Sequence, residues 1–108
     1  MIYLASPYSH KDTAIVWERY RAVAKYTTKC LRAGEIIFSP IVYCHQLAVQ
    51  FGLEGDWGFW KELDTEFISK ASELRVYKLN GWDTSVGVTA EIAIAKSLAI
   101  KITYEEVI

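Results

Sequence analysis

Four short apolar runs, separated by stretches of helical periodicity or loop, constrain this chain more than any other feature. They are "MIYLA" at the start, "EIIFSP" ending at Pro40, "LRVYKL" before Asn80, and "AIKITY" near the end. Apolar runs of this length, bounded by turn-forming residues, read as buried strands. Between the first two, Val16, Tyr20, Val23, Thr27 and Cys30 recur at helical spacing, with Leu31 alongside. This predicts a helix from Asp12 to Ala33, with Ser9 or Asp12 as its cap and Gly34 as its stop. The segment "IVYCHQLAVQFG" reads as a loop leading into a short helix. "EGDWGFWKELDTEFISKA" reads as a turn and then a helix starting near Asp56 or Trp57. After the loop "NGWDTS" comes a last helix, opened by Thr84 or Ser85.

Strands alternating with helices imply parallel pairing through right-handed crossovers. The 108 residues suit one domain with one core. The expected architecture is an α/β open parallel sheet, four to five strands wide, with helices on both faces. Such sheets bind ligands beyond the C-terminal ends of their strands, where the strand order reverses. That rule selects the loops "ASPYSHK", "SPIVYCH" and "NGWDTSVG" as site walls.

Composition narrows the function classes. A net charge of -1 and a pI near 6.1 give no basic face for a nucleic-acid polymer. No apolar run approaches the roughly 20 residues of a membrane span, and "MIYLASPYSH" lacks the regions of a signal peptide. The expected location is therefore cytoplasmic, with no membrane partner. Cys30 and Cys44 form no C-x-x-C pair and no repeated ligand spacing, so no metal site is expected. Aromatic residues make up 14% of the chain, more than so small a core hides easily. The surplus is expected to line a pocket or a subunit interface, and a homo-oligomer (a dimer or higher) is anticipated.

Two carboxylates stand on apolar faces. On its helix Glu91 shares a side with Gly87, Val88, Ile94, Ala95 and Leu98, which should look at the sheet. A capping-box glutamate would sit three residues after the cap. That place belongs to Gly87 or Val88, so capping does not explain Glu91. Exposure at a frayed end is the remaining bland explanation. Burial should raise its pKa and the helix start should lower it, which would leave an ionised, poorly solvated carboxylate. Asp64 shares a face with Trp60, Phe67 and Ala71, while Glu62 and Glu66 point outward. A local backbone or tryptophan N–H bonded to Asp64 is the alternative to a functional role. Tyr3, His10 and His45 are weaker candidates, each open to a structural reading. Ser85 and Gly87 offer a hydroxyl and backbone N–H groups at a helix start, an anion-binding arrangement that is common.

Three segments in register resemble the nucleoside 2-deoxyribosyltransferase superfamily, including its deoxynucleoside 5′-monophosphate N-glycosidase branch. "IYLASP" resembles the family's I-Y-L-A-G-P. "LDTEFISKASELRVYKLNG" resembles D-x-x-x-I-x-x-(A/C)-D-x-V-V-A-x-L-D-G, and "SVGVTAEIAIA" resembles (D/S)-x-G-x-x-x-E-x-G-x-A. The resemblance implies a flavodoxin-like fold and cleavage or transfer of an N-glycosidic bond without metal or cofactor. It implies that Glu91 attacks the anomeric carbon, Asp64 positions or protonates the leaving base, and Tyr3 orients the nucleophile. It places Ser85 and Gly87 on the sugar or 5′-phosphate, with serine tilting the expected ligand toward a nucleoside monophosphate. Ser6, Pro7, Tyr8, Ser9 and His10 in the first loop, with His45 and Trp60, complete the expected substrate contacts. The chain departs from the family at Ser6, where glycine is usual, and at Ser9, which matches an arginine of the glycosidase branch. His10 or Lys11 is then the expected source of charge. Two alternatives stay open: a non-catalytic nucleotide-binding sensor on the same fold, and a hydrolase of another ribosyl compound.

Overall fold

The computed structural model describes residues 1–107. The strands are β1 (Ile2–Ala5), β2 (Ile37–Phe38), β3 (Glu73–Tyr77) and β4 (Lys101–Glu105). All pair in parallel, in the order β2-β1-β3-β4. Four α-helices are found among the described residues: α1 (Thr13–Arg32), α2 (Pro40–Phe51), α3 (Trp57–Ser69) and α4 (Val86–Ser97). A 3₁₀ turn over Trp82–Thr84 leads into α4. This is a flavodoxin-like open α/β sheet.

Period-two alternation along the central strands divides the core into two layers. Tyr3 and Ala5 of β1 join Leu74 and Val76 of β3 on the side covered by α3 and α4, through Ile68, Val88 and Ala95. Leu4 and Tyr77 face the other side and meet Val23, Tyr26 and Cys30 of α1, with Ile41 and Val42 of α2 against them. Each helix covers the face its apolar stripe matches, so helices lie on both faces of the sheet.

Caps set the helix boundaries and correct several expectations. Asp12 caps α1, its side chain accepting from the Ala14 N–H at 2.9 Å. Ser9 does not cap; its hydroxyl donates to the Gly55 carbonyl at 3.0 Å. Ser85, not Thr84, caps α4 by accepting from the Val88 N–H at 3.2 Å. The expected loop after residue 40 is helix from its first residue. Ser39 accepts from Val42 N–H at 3.1 Å, and Pro40 occupies the first turn, where its missing N–H costs nothing. Capping takes Ser39 out of the second strand, which shrinks to two residues. Gly52 then closes α2 in the left-handed conformation, φ 69°. Leu98 is the residue that ends α4 and is exposed, so the buried stripe of α4 stops at Ala95.

β1 and β3 are neighbours whose following connections diverge, one toward β2 and the other toward β4. The crevice beyond their C-terminal ends is the topological switch point.

Candidate active site

Three polar side chains converge at that crevice from three elements. Tyr3 points to the α3/α4 side of β1 and is fully buried. Its hydroxyl donates to Glu91 Oε2. Glu91 lies one turn from Val88 and one from Ala95, both buried, so the α4 stripe that packs on the sheet carries the carboxylate inward. Asp64 rides on α3 one turn before fully buried Ile68. The two carboxyl groups are 4% and 5% exposed, so both are buried, and neither has a cation as partner among the described residues. Asp64 Oδ1 has no hydrogen-bond partner among the described residues, and neither does the Ser6 hydroxyl.

Both carboxylates line a cavity of about 500 Å³. Its floor is Glu91 and Asp64. One wall is the loop after β1, with Ser6, Tyr8, Ser9 and His10. A second comes from α2, where Ile41, Cys44 and Ala48 recur on one face. Trp57 and Trp60 of α3 supply aromatic surface, and Ser85 and Gly87 at the start of α4 close the site. Trp60 is fixed by its indole N–H, which donates to the Glu54 carbonyl at 2.5 Å. Mixed aromatic and polar walls around a few convergent polar groups are what a small-molecule site requires.

Burial dominates the electrostatics. It raises the Glu91 pKa to about 8; the Tyr3 hydrogen bond lowers it and the charge of Asp64 raises it. Burial raises Asp64 to about 6, again offset by Tyr3. The Tyr3 hydroxyl itself is driven far above its ordinary value by burial and then by both carboxylates, so it remains a donor. The expectation of an ionised Glu91 is therefore corrected. Glu91 is the sixth residue of α4, beyond the first turn where the helix terminus acts strongly, and desolvation wins. Between about pH 6 and about 8 the pair carries one proton. Burial, followed by the charge of Asp64, pushes the Cys44 thiol up to about 12 and keeps it neutral.

The other expected contacts divide. Tyr8, Ser9, Ser6, Trp60, Ser85 and Gly87 line the cavity; His10 does too, but its Nδ1 accepts from the Asp12 N–H at 2.9 Å in a local turn. A Cβ on Gly87 would meet only ordinary contacts at 3.9 Å, so no clash demands glycine there. Pro7 is buried and does not line the cavity. His45 is also set apart. Starting α2 at Pro40 turns Cys44 toward the cavity and His45 toward α1. There His45 stacks on Tyr20 at 3.9 Å, meets Trp17 edge-on, and bonds the Tyr8 hydroxyl at 2.6 Å through Nδ1. Burial lowers its pKa, so it is a neutral brace behind Tyr8.

Arg19 and Trp57 are cavity residues that the expected site did not name. Arg19 reaches from α1 to the rim and donates to the carbonyls of Ser9 at 3.0 Å and Asn80 at 3.1 Å. It ties together the loops after β1 and β3. Gly81, at φ 93°, permits this approach, since a Cβ there would lie 2.6 Å from Arg19 Nη2. The glycine beside the third strand was the only signal available, because helical periodicity marks Arg19 merely as a polar position.

Fold and site together define an α/β domain with a buried pair of carboxylates under a switch-point cavity. Residues 1–106 match a family described as a domain of unknown function, DUF1937, and the chain belongs to that family. No curated protein matches the sequence.

Proposed function

We propose that the protein cleaves, or transfers across, the N-glycosidic bond of nucleosides or nucleoside 5′-monophosphates, with Glu91 as nucleophile. The observation that carries this reading is the pair Glu91 and Asp64 lining one cavity, with fully buried Tyr3 donating to Glu91 from behind it and no cation among the described residues to neutralise the carboxylates. The similarity of the three sequence segments to nucleoside 2-deoxyribosyltransferases supports the same roles.

The chemistry needs one ionised and one protonated carboxyl. Glu91 Oε attacks the anomeric carbon through an oxocarbenium-like transition state. The C–N bond breaks with its electron pair going to the base, and the Asp64 proton neutralises it. Water, or a second base, then attacks the same carbon and releases Glu91. A developing positive charge on the sugar stabilises ionised Glu91 and so favours the proton residing on Asp64. Tyr3 donates to the same carboxylate and orients it. Tyr8, Trp57 and Trp60 offer aromatic surface to a planar base. Arg19 and the N–H groups at the start of α4 offer donors to a 5′-phosphate, replacing the arginine missing at Ser9.

A second reading, a nucleotide-binding module without catalysis, is favoured by the raised pKa of Glu91, which leaves it protonated and weakly nucleophilic at neutral pH. The two are separated by following base release from a panel of nucleosides and their monophosphates. The expected result is release by the wild type that falls about a thousandfold or more in Glu91→Gln. If no member is cleaved while a nucleotide raises the wild-type Tm, the binding module is the correct reading.

A further inference from the structure

β4 is the last strand of the sheet, and its outer edge is unpaired among the described residues. The Lys78 N–H donates to the Glu105 carbonyl, so the backbone groups of Lys101, Thr103 and Glu105 face β3. In a β-strand the N–H and C=O groups alternate sides, so those of Ile102 and Tyr104 point outward. The side chains also divide. Lys101, Thr103 and Glu105 lie on the α1 side, beside Arg75 and Glu73. Ile102 and Tyr104 lie on the α4 side, with Tyr104 half exposed and its ring near Trp82.

We propose that this edge is the dimerisation surface and that its occupant is β4 of a second copy, paired antiparallel about a two-fold axis through Thr103. The sequence K-I-T-Y-E is self-complementary in that register. Ile102 and Tyr104 of each copy form the hydrogen-bonded pairs, because theirs are the groups that point outward. Lys101 and Glu105 form the non-hydrogen-bonded pairs, where side chains approach most closely. Each copy thus sets Lys101 opposite the other's Glu105, twice over. Both side chains are exposed and neither has an ion-pair partner among the described residues of its own chain. On the opposite face, exposed Tyr104 covers Ile102 of the partner. A shift of register by one residue in either direction would set Ile102 and Tyr104 opposite residues whose backbone groups face β3, and so lose the hydrogen-bonded pairs. The result is a continuous sheet spanning both copies, with the two cavities open at its opposite ends and unobstructed.

Charged residues on an edge strand can also serve to prevent pairing, and charge reversal distinguishes the two roles. Sedimentation velocity and light scattering on the full chain should give a concentration-dependent dimer. Lys101→Glu places like charges opposite each other twice and should weaken the dimer by at least roughly tenfold. The double variant Lys101→Glu/Glu105→Lys restores opposite charges and should restore it. Tyr104→Pro removes an outward N–H without touching the β3–β4 ladder, and should give a folded monomer by circular dichroism. A wild type that stays monomeric at millimolar concentration overturns the proposal. So does a dimer indifferent to Lys101→Glu, or a double variant that fails to recover.

Discussion

Two polar clusters lie within this small sheet, and they are treated in opposite ways. On the α1 side, Arg75 is surrounded by partners. It bonds Glu35 at 2.8 and 3.1 Å, Glu73 at 3.1 Å and the Tyr26 hydroxyl at 3.0 Å, and Glu73 also accepts from Thr103 at 2.6 Å. Hydrogen bonds from Arg75 hold Glu35 below its ordinary value. Burial works against the Glu73 carboxylate, but the bonds from Thr103 and Arg75 outweigh it and lower its pKa. On the α3/α4 side, Glu91 and Asp64 have one tyrosine between them and no cation among the described residues, and both pKa values rise. A partly buried charge that is fully paired keeps its ionised form, and removing one partner strands the other. One left unpaired works against folding, and its presence beside a cavity points to use.

This contrast fixes the sign of each stability effect. The folded-state pKa of Glu91 is raised from 4.5 to about 8, so the native state loses stability as pH climbs through that interval. Glu91→Gln should abolish this loss and stabilise the fold by up to roughly 5 kcal/mol above pH 8, with the gain vanishing in acid. Chemical denaturation at several pH values checks it; a destabilised variant at alkaline pH would make Glu91 structural. Arg75→Met should do the reverse, costing about 2–4 kcal/mol at neutral pH because Glu35 and Glu73 lose their cation. That deficit should shrink as pH falls and the two carboxylates take up protons. A neutral Arg75→Met would erase the distinction between the clusters.

Smaller effects sharpen the same comparison. Base release should follow a bell in pH, with limbs near 6 and 8. Below the lower limb both carboxyls are protonated and no nucleophile exists; above the upper limb both are ionised and no proton is left for the leaving base. Tyr3→Phe removes a bond that lowers the Glu91 pKa and should move the upper limb further alkaline. An upper limb unmoved in steady-state rates would detach Tyr3 from Glu91. Asp12→Ala, which removes a side chain that caps α1 and bonds neither cluster, should cost only about 1 kcal/mol and leave the pH profile unchanged.

Legibility in the sequence followed the range of the interactions. Periodicity was enough for β1, β3, α1, α3 and α4, and helical geometry alone turned Glu91 and Asp64 inward. The start of α2 was misplaced although Ser39 and Pro40 together spell a cap and a first turn. The apolar run that follows them hid the signal. That error carried His45 into the substrate wall, whereas its helical position aims it at Tyr20. Arg19 was invisible because its role depends on two loops that only the folded sheet brings within its reach. The paired state of Arg75 was equally hidden, since its partners come from β3 itself and from both α1 and the loop after it. The unpaired state of Glu91 was hidden too. Its raised pKa reflects how completely α4 seals it, which no residue spacing records.

The decisive measurement is a carbon NMR titration of the Glu91 and Asp64 side-chain carboxyls in the wild type and in Asp64→Asn. Two coupled steps near pH 6 and 8 are predicted, with the Glu91 step moving down once the charge of Asp64 is removed. Two independent titrations near pH 4, indifferent to Asp64→Asn, would contradict a shared proton in a desolvated pair.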